Sequence, residues 1–455
     1  MINLKKNRIL ITVLLVSLVL SGLTGCKEAP QQIETTVPME TTVPQAAEPI
    51  DYAGSLELDM ESATIKQEVT VKLFIDGDTT HFHVPESVNT SGVLKARYVS
   101  INTPESTGKI EEFGKKASAF TREKLSGAES IIIESEDGSW NADSTGDRYL
   151  VWVWYKPQGS DSYRNLNVEI LQNGLAIANS SANSRYGDAC MAAIAQAKEQ
   201  KLNIYSGQPD PDFYYGGAVE LTLRELRTNI EQYNGIKVAF SGVVTMNNNN
   251  SVYVEAYDAE TDMYYGMAVY YGFNLNGQGL EILSVGNEVR IVGSVQYYEA
   301  GGTWQVSDLN YRMMKPDDPD NIQMLSQGHE PAFVLTDPRT LEEGTVEILI
   351  NDAPVTFDYA QLAMNTSVEL KNLYVYDAYT TNTEDSASKG AITLYCQADD
   401  VHITVRTIVL YDENGELITQ DRFIGKTIDI RGLVDYFEGN YQIKVFTARD
   451  ITIHN

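Results

Sequence analysis

Four short segments between Lys72 and Ser206 concentrate the side chains that phosphate and metal chemistry requires. They are Ile75-Asp76-Gly77-Asp78-Thr79, Arg97-Tyr98-Val99-Ser100-Ile101-Asn102-Thr103-Pro104-Glu105, Asp143-Ser144-Thr145-Gly146-Asp147-Arg148-Tyr149-Leu150, and Ala197-Lys198-Glu199-Gln200-Lys201-Leu202-Asn203-Ile204-Tyr205-Ser206. Cleaving a phosphodiester needs a hard cation to polarise the phosphate, a positioned water, and fixed positive charge where the transition state gathers negative charge. Carboxylate and amide oxygens serve the cation, and guanidinium forks serve the phosphate. Each segment alone has a plainer reading. Asp76 and Asp78 suit a solvated hairpin turn, and Arg97 suits the exposed side of an apolar strand. Glu105 suits the first turn of a following helix, where the dipole favours negative charge. Arg148 suits a charge guarding the strand Tyr149-Leu150-Val151-Trp152-Val153-Trp154. Four such segments in order, at compatible spacing, point to one site.

Together, residues 66–206 resemble the staphylococcal nuclease (thermonuclease) family, metal-dependent phosphodiesterases built on a small Greek-key barrel. The resemblance implies that Asp78 is a direct calcium ligand, Asn102 the second side-chain ligand, and Thr103 a ligand through its backbone carbonyl. It implies that Glu105 holds the attacking water and that Arg97 and Arg148 clamp the phosphate. The family most often has aspartate where this chain has Asn102. One negative charge fewer predicts weaker metal binding and a higher metal requirement. After Asn173-Gly174-Leu175-Ala176, the two tyrosines that hold the nucleotide in the family are replaced by Ser180 and Ala182, with Tyr186 nearby as a substitute. The loop before Arg148 is one residue longer, and Asp147 is expected to pair with that arginine.

These residues need elements to hold them. Val69 to Phe74 and His81 to Val84 read as a hairpin flanking the Asp-Gly-Asp turn, with Leu94 to Ile101 as a third strand. Ile131 to Glu134 and Leu150 to Trp154 are further strands. Helices are expected over Ile110–Leu125 and Asp188–Leu202. The ligands then fall at strand ends around one rim. His81 and His83 share a strand face, a spacing that suits exposed strand residues better than a zinc pair.

The N-terminus bears on where such chemistry takes place. Lys5, Lys6 and Arg8 precede an apolar run from Ile9 to Leu20 and then Leu23-Thr24-Gly25-Cys26, the order of a secretory signal. The last four residues resemble a bacterial lipobox, which implies lipidation of Cys26 and an extracytoplasmic, membrane-anchored protein on the cell surface. Residues 1–26 are thus read as a signal peptide. Residues 27–65 are read as a disordered spacer, with Glu34-Thr35-Thr36-Val37-Pro38 repeated as Glu40-Thr41-Thr42-Val43-Pro44. The remaining cysteines, Cys190 and Cys396, suit small buried residues in separate domains.

The formal charge of −29 is unevenly placed. Residues 66–206 carry 15 Lys+Arg against 18 Asp+Glu, whereas residues 207–455 carry 15 against 37. Polyanion binding leans on basic surface, so the C-terminal half is a poor candidate for grasping phosphates. That half is divided by expected linkers at 207–218 and 316–340. Short strand-like runs alternate with Gly and Asn breaks, and a helix is expected from Leu221 to Glu231. Gly286-Asn287-Glu288-Val289-Arg290-Ile291-Val292-Gly293-Ser294-Val295-Gln296-Tyr297-Tyr298 repeats as Gly425-Lys426-Thr427-Ile428-Asp429-Ile430-Arg431-Gly432-Leu433-Val434-Asp435-Tyr436-Phe437. Two tandem domains, 219–315 and 341–455, account for this better than a solenoid. The pattern resembles OB-fold modules. Aromatics such as Tyr253, Tyr270, Tyr297 and Tyr436 suit core or cross-strand pairs better than base-stacking platforms.

The expected fold is mainly β with some α: a nuclease-type OB barrel with helices (α+β), at 66–206, followed by two OB-like β-barrels. The expected function is a lipid-anchored, calcium-dependent nuclease acting on DNA, RNA or both, with no protein partner identifiable. Two alternatives are a non-catalytic surface module for nucleic acid, glycan or protein, and a phosphodiesterase of small nucleotides.

Overall fold

The computed structural model describes residues 48–454 apart from 274, 276, 300, 352, 384, 385 and 387. The signal peptide, Cys26 and most of the spacer lie outside these residues. Ile50–Asn455 forms one compact unit.

Five strands close the first barrel: β1 (Lys66–Asp76), β2 (Thr79–His83), β3 (Val93–Tyr98), and, after the short β4 (Ile101–Asn102), β5 (Ala128–Ser135) and β6 (Tyr149–Pro157). The order is β3-β2-β1-β5-β6, and a parallel β3–β6 pairing shuts the cylinder with Arg97 opposite Leu150. Strand alternation places Leu94, Ala96 and Tyr98 in the core and Arg97 on the other side. The helix Gly114–Ser126 buries Ala117, Thr121 and Leu125, one face at four-residue spacing. It begins only at Gly114 because Phe113 is held left-handed, with φ 64°. No side chain of Phe113 caps the helix. The Phe113 amide is instead bound by Asp210 at 2.6 Å.

Two more barrels follow with the same closure. Lys237–Asn248, Ser251–Asp258, Met263–Tyr270, Asn287–Tyr298 and Thr303–Ser307 form one, and Ser367–Thr380, Ile392–Ala398, Val401–Thr407, Thr427–Phe437 and Asn440–Val445 the other. In each, the third and fifth strands pair parallel and the first and fourth close the cylinder. The internal repeat is therefore the fourth strand of each barrel. Its second glycine has the same cause in both copies: a Cβ at Gly293 would stand 2.5 Å from the Ser307 carbonyl, and one at Gly432 2.6 Å from that of Lys444. A contiguous apolar core runs through both C-terminal barrels, while the first barrel has its own.

Several boundaries differ from expectation. Residues 50–65 are part of the folded body, not spacer: Ala53 is fully buried, Asp51 pairs with Arg164 at 2.6 Å, and Thr64 donates to buried Glu134 at 2.6 Å. The 207–218 linker holds buried Asp210. The 316–340 linker adds Gln323–Gln327 to the second barrel and Val334–Leu335 to the third. The helix expected over Leu221–Glu231 is split into Leu223–Thr228, started by a Thr222/Glu225 capping box, and a 3-10 turn at Ile230–Tyr233. The 345–358 hairpin and the helix Leu166–Gln172 were not foreseen.

Candidate active site

The Asp-Gly-Asp turn joins β1 to β2, with Asp76 opposite Thr79. The helix Gly114–Ser126 presses on it from outside: Thr121 donates to the Gly77 carbonyl at 2.6 Å. A Cβ at Gly77 would lie 2.9 Å from both Ala117 and Thr103, so glycine permits this close approach. The turn is consequently not solvated. Asp78 is fully buried and Asp76 nearly so.

Asp78 organises the site. One carboxylate oxygen accepts from Arg97 and, at 3.1 Å, from the Thr79 hydroxyl. The other accepts the Thr103 amide at 2.8 Å. Arg97 donates its second terminal nitrogen to the Asn102 amide oxygen. The structure therefore brings Asp78, Arg97, Asn102 and Thr103 into direct contact. Glu105 follows on the same loop, where its carbonyl backs onto Gly114 and accepts the Glu111 amide at 2.9 Å.

Burial and the neighbouring Asp76 carboxylate push Asp78 up to about 7, against the opposing influence of Arg97 and the Thr103 amide. Glu105 keeps an exposed surface, yet partial burial of its carboxyl and again Asp76 raise it to about 7, with Arg97 opposing. Asp76 is thus the residue that sequence reasoning missed: it faces both other carboxyls. The doubled aspartate was the available signal, but it reads as a turn until the helix is placed over it.

Three carboxyls around one guanidinium leave an excess of hard oxygen donors, and Thr103 Oγ1 is buried without a hydrogen-bond partner. This donor set fits a hard divalent cation. Among the described residues no group of three or more His, Cys, Asp or Glu is arranged to hold a metal. The candidate ligands instead combine the Asp78 carboxylate, the Asn102 amide and the Thr103 carbonyl.

Arg148 stands just before β6, whose next residue, Tyr149, pairs with Ala96 of β3. Its Nε donates to Asp143 at 2.8 Å. Asp147, expected to pair with Arg148, is instead 2.5 Å from Lys95. The tight turn at Gly146 (φ 77°) explains the exchange, since it folds Asp143 back toward Arg148. Tyr186 packs edge-on against Trp152 and Trp154, with ring centroids at 5.0 and 5.4 Å. Its hydroxyl donates to buried Glu134 at 2.9 Å. Ring and hydroxyl are both engaged within the domain. Cys190 and Cys396 are buried free thiols.

Residues 95–207 match the family model described as staphylococcal nuclease homologue. The matched segment carries Arg97, Asn102, Thr103, Glu105, Arg148 and Tyr186, and it begins after the Asp-Gly-Asp turn. The chain therefore contains a domain of this nuclease family, a quarter of its length, joined to two further OB-like barrels.

Proposed function

We propose, from this nuclease-type domain, that the protein is a calcium-dependent phosphodiesterase that hydrolyses DNA, RNA or both. The observation that supports it most is that Arg97 holds both Asp78 and Asn102 while Asp78 accepts the Thr103 amide, with Glu105 two residues further along the same loop. Calcium held by the Asp78, Asn102 and Thr103 oxygens would polarise the scissile phosphate. Glu105, raised to about 7, takes the proton of the attacking water. Arg97, which holds Asp78 and Asn102, would offer its fork to the phosphate once those oxygens served a cation. Arg148 supplies the second fork by leaving Asp143. None of these groups addresses a base, which suits a nuclease with little base discrimination.

The N-terminal sequence supports export and anchoring through Cys26. Metabolic labelling with a fatty acid, lost in Cys26→Ser, tests this part.

The test of the activity is release of acid-soluble nucleotides by the full-length protein, with calcium over a wide range and with chelator. Glu105→Ala and Arg148→Ala are assayed alongside. Calcium-dependent cleavage lost in both variants supports the reading, and no cleavage by folded protein at high calcium overturns it. A second reading, a non-catalytic nucleic-acid-binding module, is favoured by one observation: both arginine forks are engaged by acidic or amide side chains of their own domain.

A further inference from the structure

A cleft of about 1080 Å³ lies between the first and second barrels. Its wall includes Ile75 and Ser106, the chain neighbours of Asp76 and Glu105. Ordinary small-ligand sites span roughly 300–1,000 Å³, so this cleft has room for several nucleotides. Its two walls differ in chemistry. The first barrel contributes cations, Lys115 and Arg122, from one face of the helix Gly114–Ser126. The second contributes Tyr270, Tyr297 and Tyr298. Tyr297 and Tyr298 are 45% and 49% exposed, at the end of a strand whose inner residues are buried. Tyr253 and Tyr271, by contrast, are core residues.

We propose that this cleft binds the single-stranded stretch of nucleic acid flanking the scissile phosphate, with bases stacked on Tyr297 and Tyr298 and backbone phosphates facing Lys115 and Arg122. The proposal rests on the nuclease reading for its substrate. Stacking needs an aromatic face and no positive charge, so an acidic barrel can contribute it. Of the two acids at the cleft, Glu299 is paired with Arg122 and Glu123 lies 3.5 Å from Lys124. Lys115 spends one of its three N–H groups on the Asn234 carbonyl, at 3.0 Å. The near-neutral first domain meets the phosphates and the acidic second barrel meets the bases.

The test uses full-length Glu105→Gln protein, to prevent cleavage, and a fluorescent thymidine 12-mer read by anisotropy. Tyr297→Ala/Tyr298→Ala is expected to weaken binding by about tenfold or more, and Tyr297→Phe/Tyr298→Phe to restore it. Lys115→Ala is expected to reduce the salt dependence by about one phosphate contact. In the cleavage-competent protein, the double alanine variant should raise KM for the 12-mer more than KM for a dinucleotide. Unchanged 12-mer affinity in the alanine variant, equal loss in the phenylalanine variant, or tighter binding of a duplex than of the single strand overturns the proposal. Cleavage that persists alongside any of these leaves the nuclease reading intact. Tyrosine-dependent binding without cleavage by any variant supports the cleft and sinks the nuclease reading.

Discussion

Gln296 of the second barrel and Gly108 of the loop that carries Glu105 exchange two hydrogen bonds, 3.1 Å from the Gly108 amide and 3.0 Å to its carbonyl. Ser307 adds a third, donating to the same carbonyl at 3.0 Å. Both side chains are buried. The loop that holds Thr103 and Glu105 is thereby pinned at its tip by another barrel, and at its end by Asp210 on the Phe113 amide.

Removing the pin should loosen the loop that carries Glu105. Gln296→Ala is expected to cost about 2 kcal/mol of stability, the loss of two buried hydrogen bonds. It is also expected to lower kcat by about tenfold, as misplacement of a catalytic group does. Steady-state kinetics on a dinucleotide, with hydrogen exchange at Gly108, checks this. Faster exchange without a change in kcat would show that the pin has no catalytic consequence.

A second expectation concerns pH. Asp78 and Glu105 both titrate near 7 in the fold, above their ordinary carboxylate values. The folded protein therefore holds protons that the unfolded chain has released. By linkage, metal-free stability falls as pH rises from about 4 through 7. A cation that binds the ionised carboxylates reverses that loss. The rise in Tm on adding calcium should be small at pH 5 and several degrees at pH 8. An equal rise at both, measured by calorimetry, would separate calcium from these carboxyls.

Glu255 ties the second barrel to the third. Its carboxylate accepts the Ala332 amide at 2.8 Å, the Ser367 amide at 2.7 Å and the Ser367 hydroxyl at 2.8 Å. Burial raises its pKa, with these three donors opposing. Glu255→Ala leaves the buried Ser367 amide and the half-buried Ala332 amide without an acceptor, so a loss of about 2–4 kcal/mol is expected in urea unfolding. Since the two barrels share one core, the transition should remain single. A split transition would mean that Glu255 alone joins them.

Legibility in the sequence follows the distance over which each contact acts. Asp78, Arg97, Asn102 and Thr103 were picked out through the family resemblance, and the structure brings them together because Thr79, next to Asp78, pairs with Arg97 across the β2–β3 hairpin. The fourth strands of the C-terminal barrels were readable because Gly293 and Gly432 meet the same steric demand. Asp76 was not, since its burial is imposed by the helix Gly114–Ser126. Tyr186 looked free to hold a nucleotide because its neighbours, Trp152, Trp154 and Glu134, come from β5 and β6. The Gln296–Gly108 pair spans 188 residues, beyond any local pattern. The acidity of the C-terminal half argues against phosphate contacts there, but it carries no information about exposed tyrosines.

Asn102 offers the sharpest variant of the site. Its amide oxygen accepts from the same guanidinium that binds Asp78. Asn102→Asp keeps the shape and adds a negative charge, which should raise calcium affinity because affinity rises with ligand charge. The calcium concentration for half-maximal cleavage is expected to fall about tenfold. Without metal the added carboxylate joins Asp76, Asp78 and Glu105 around a single arginine. The variant should therefore be less stable than wild type at pH 8 in chelator and more stable in calcium. Calcium titration of cleavage, paired with thermal denaturation in chelator and in calcium, reads both effects. An unchanged calcium midpoint together with unchanged stabilities would remove Asn102 from the ligand set.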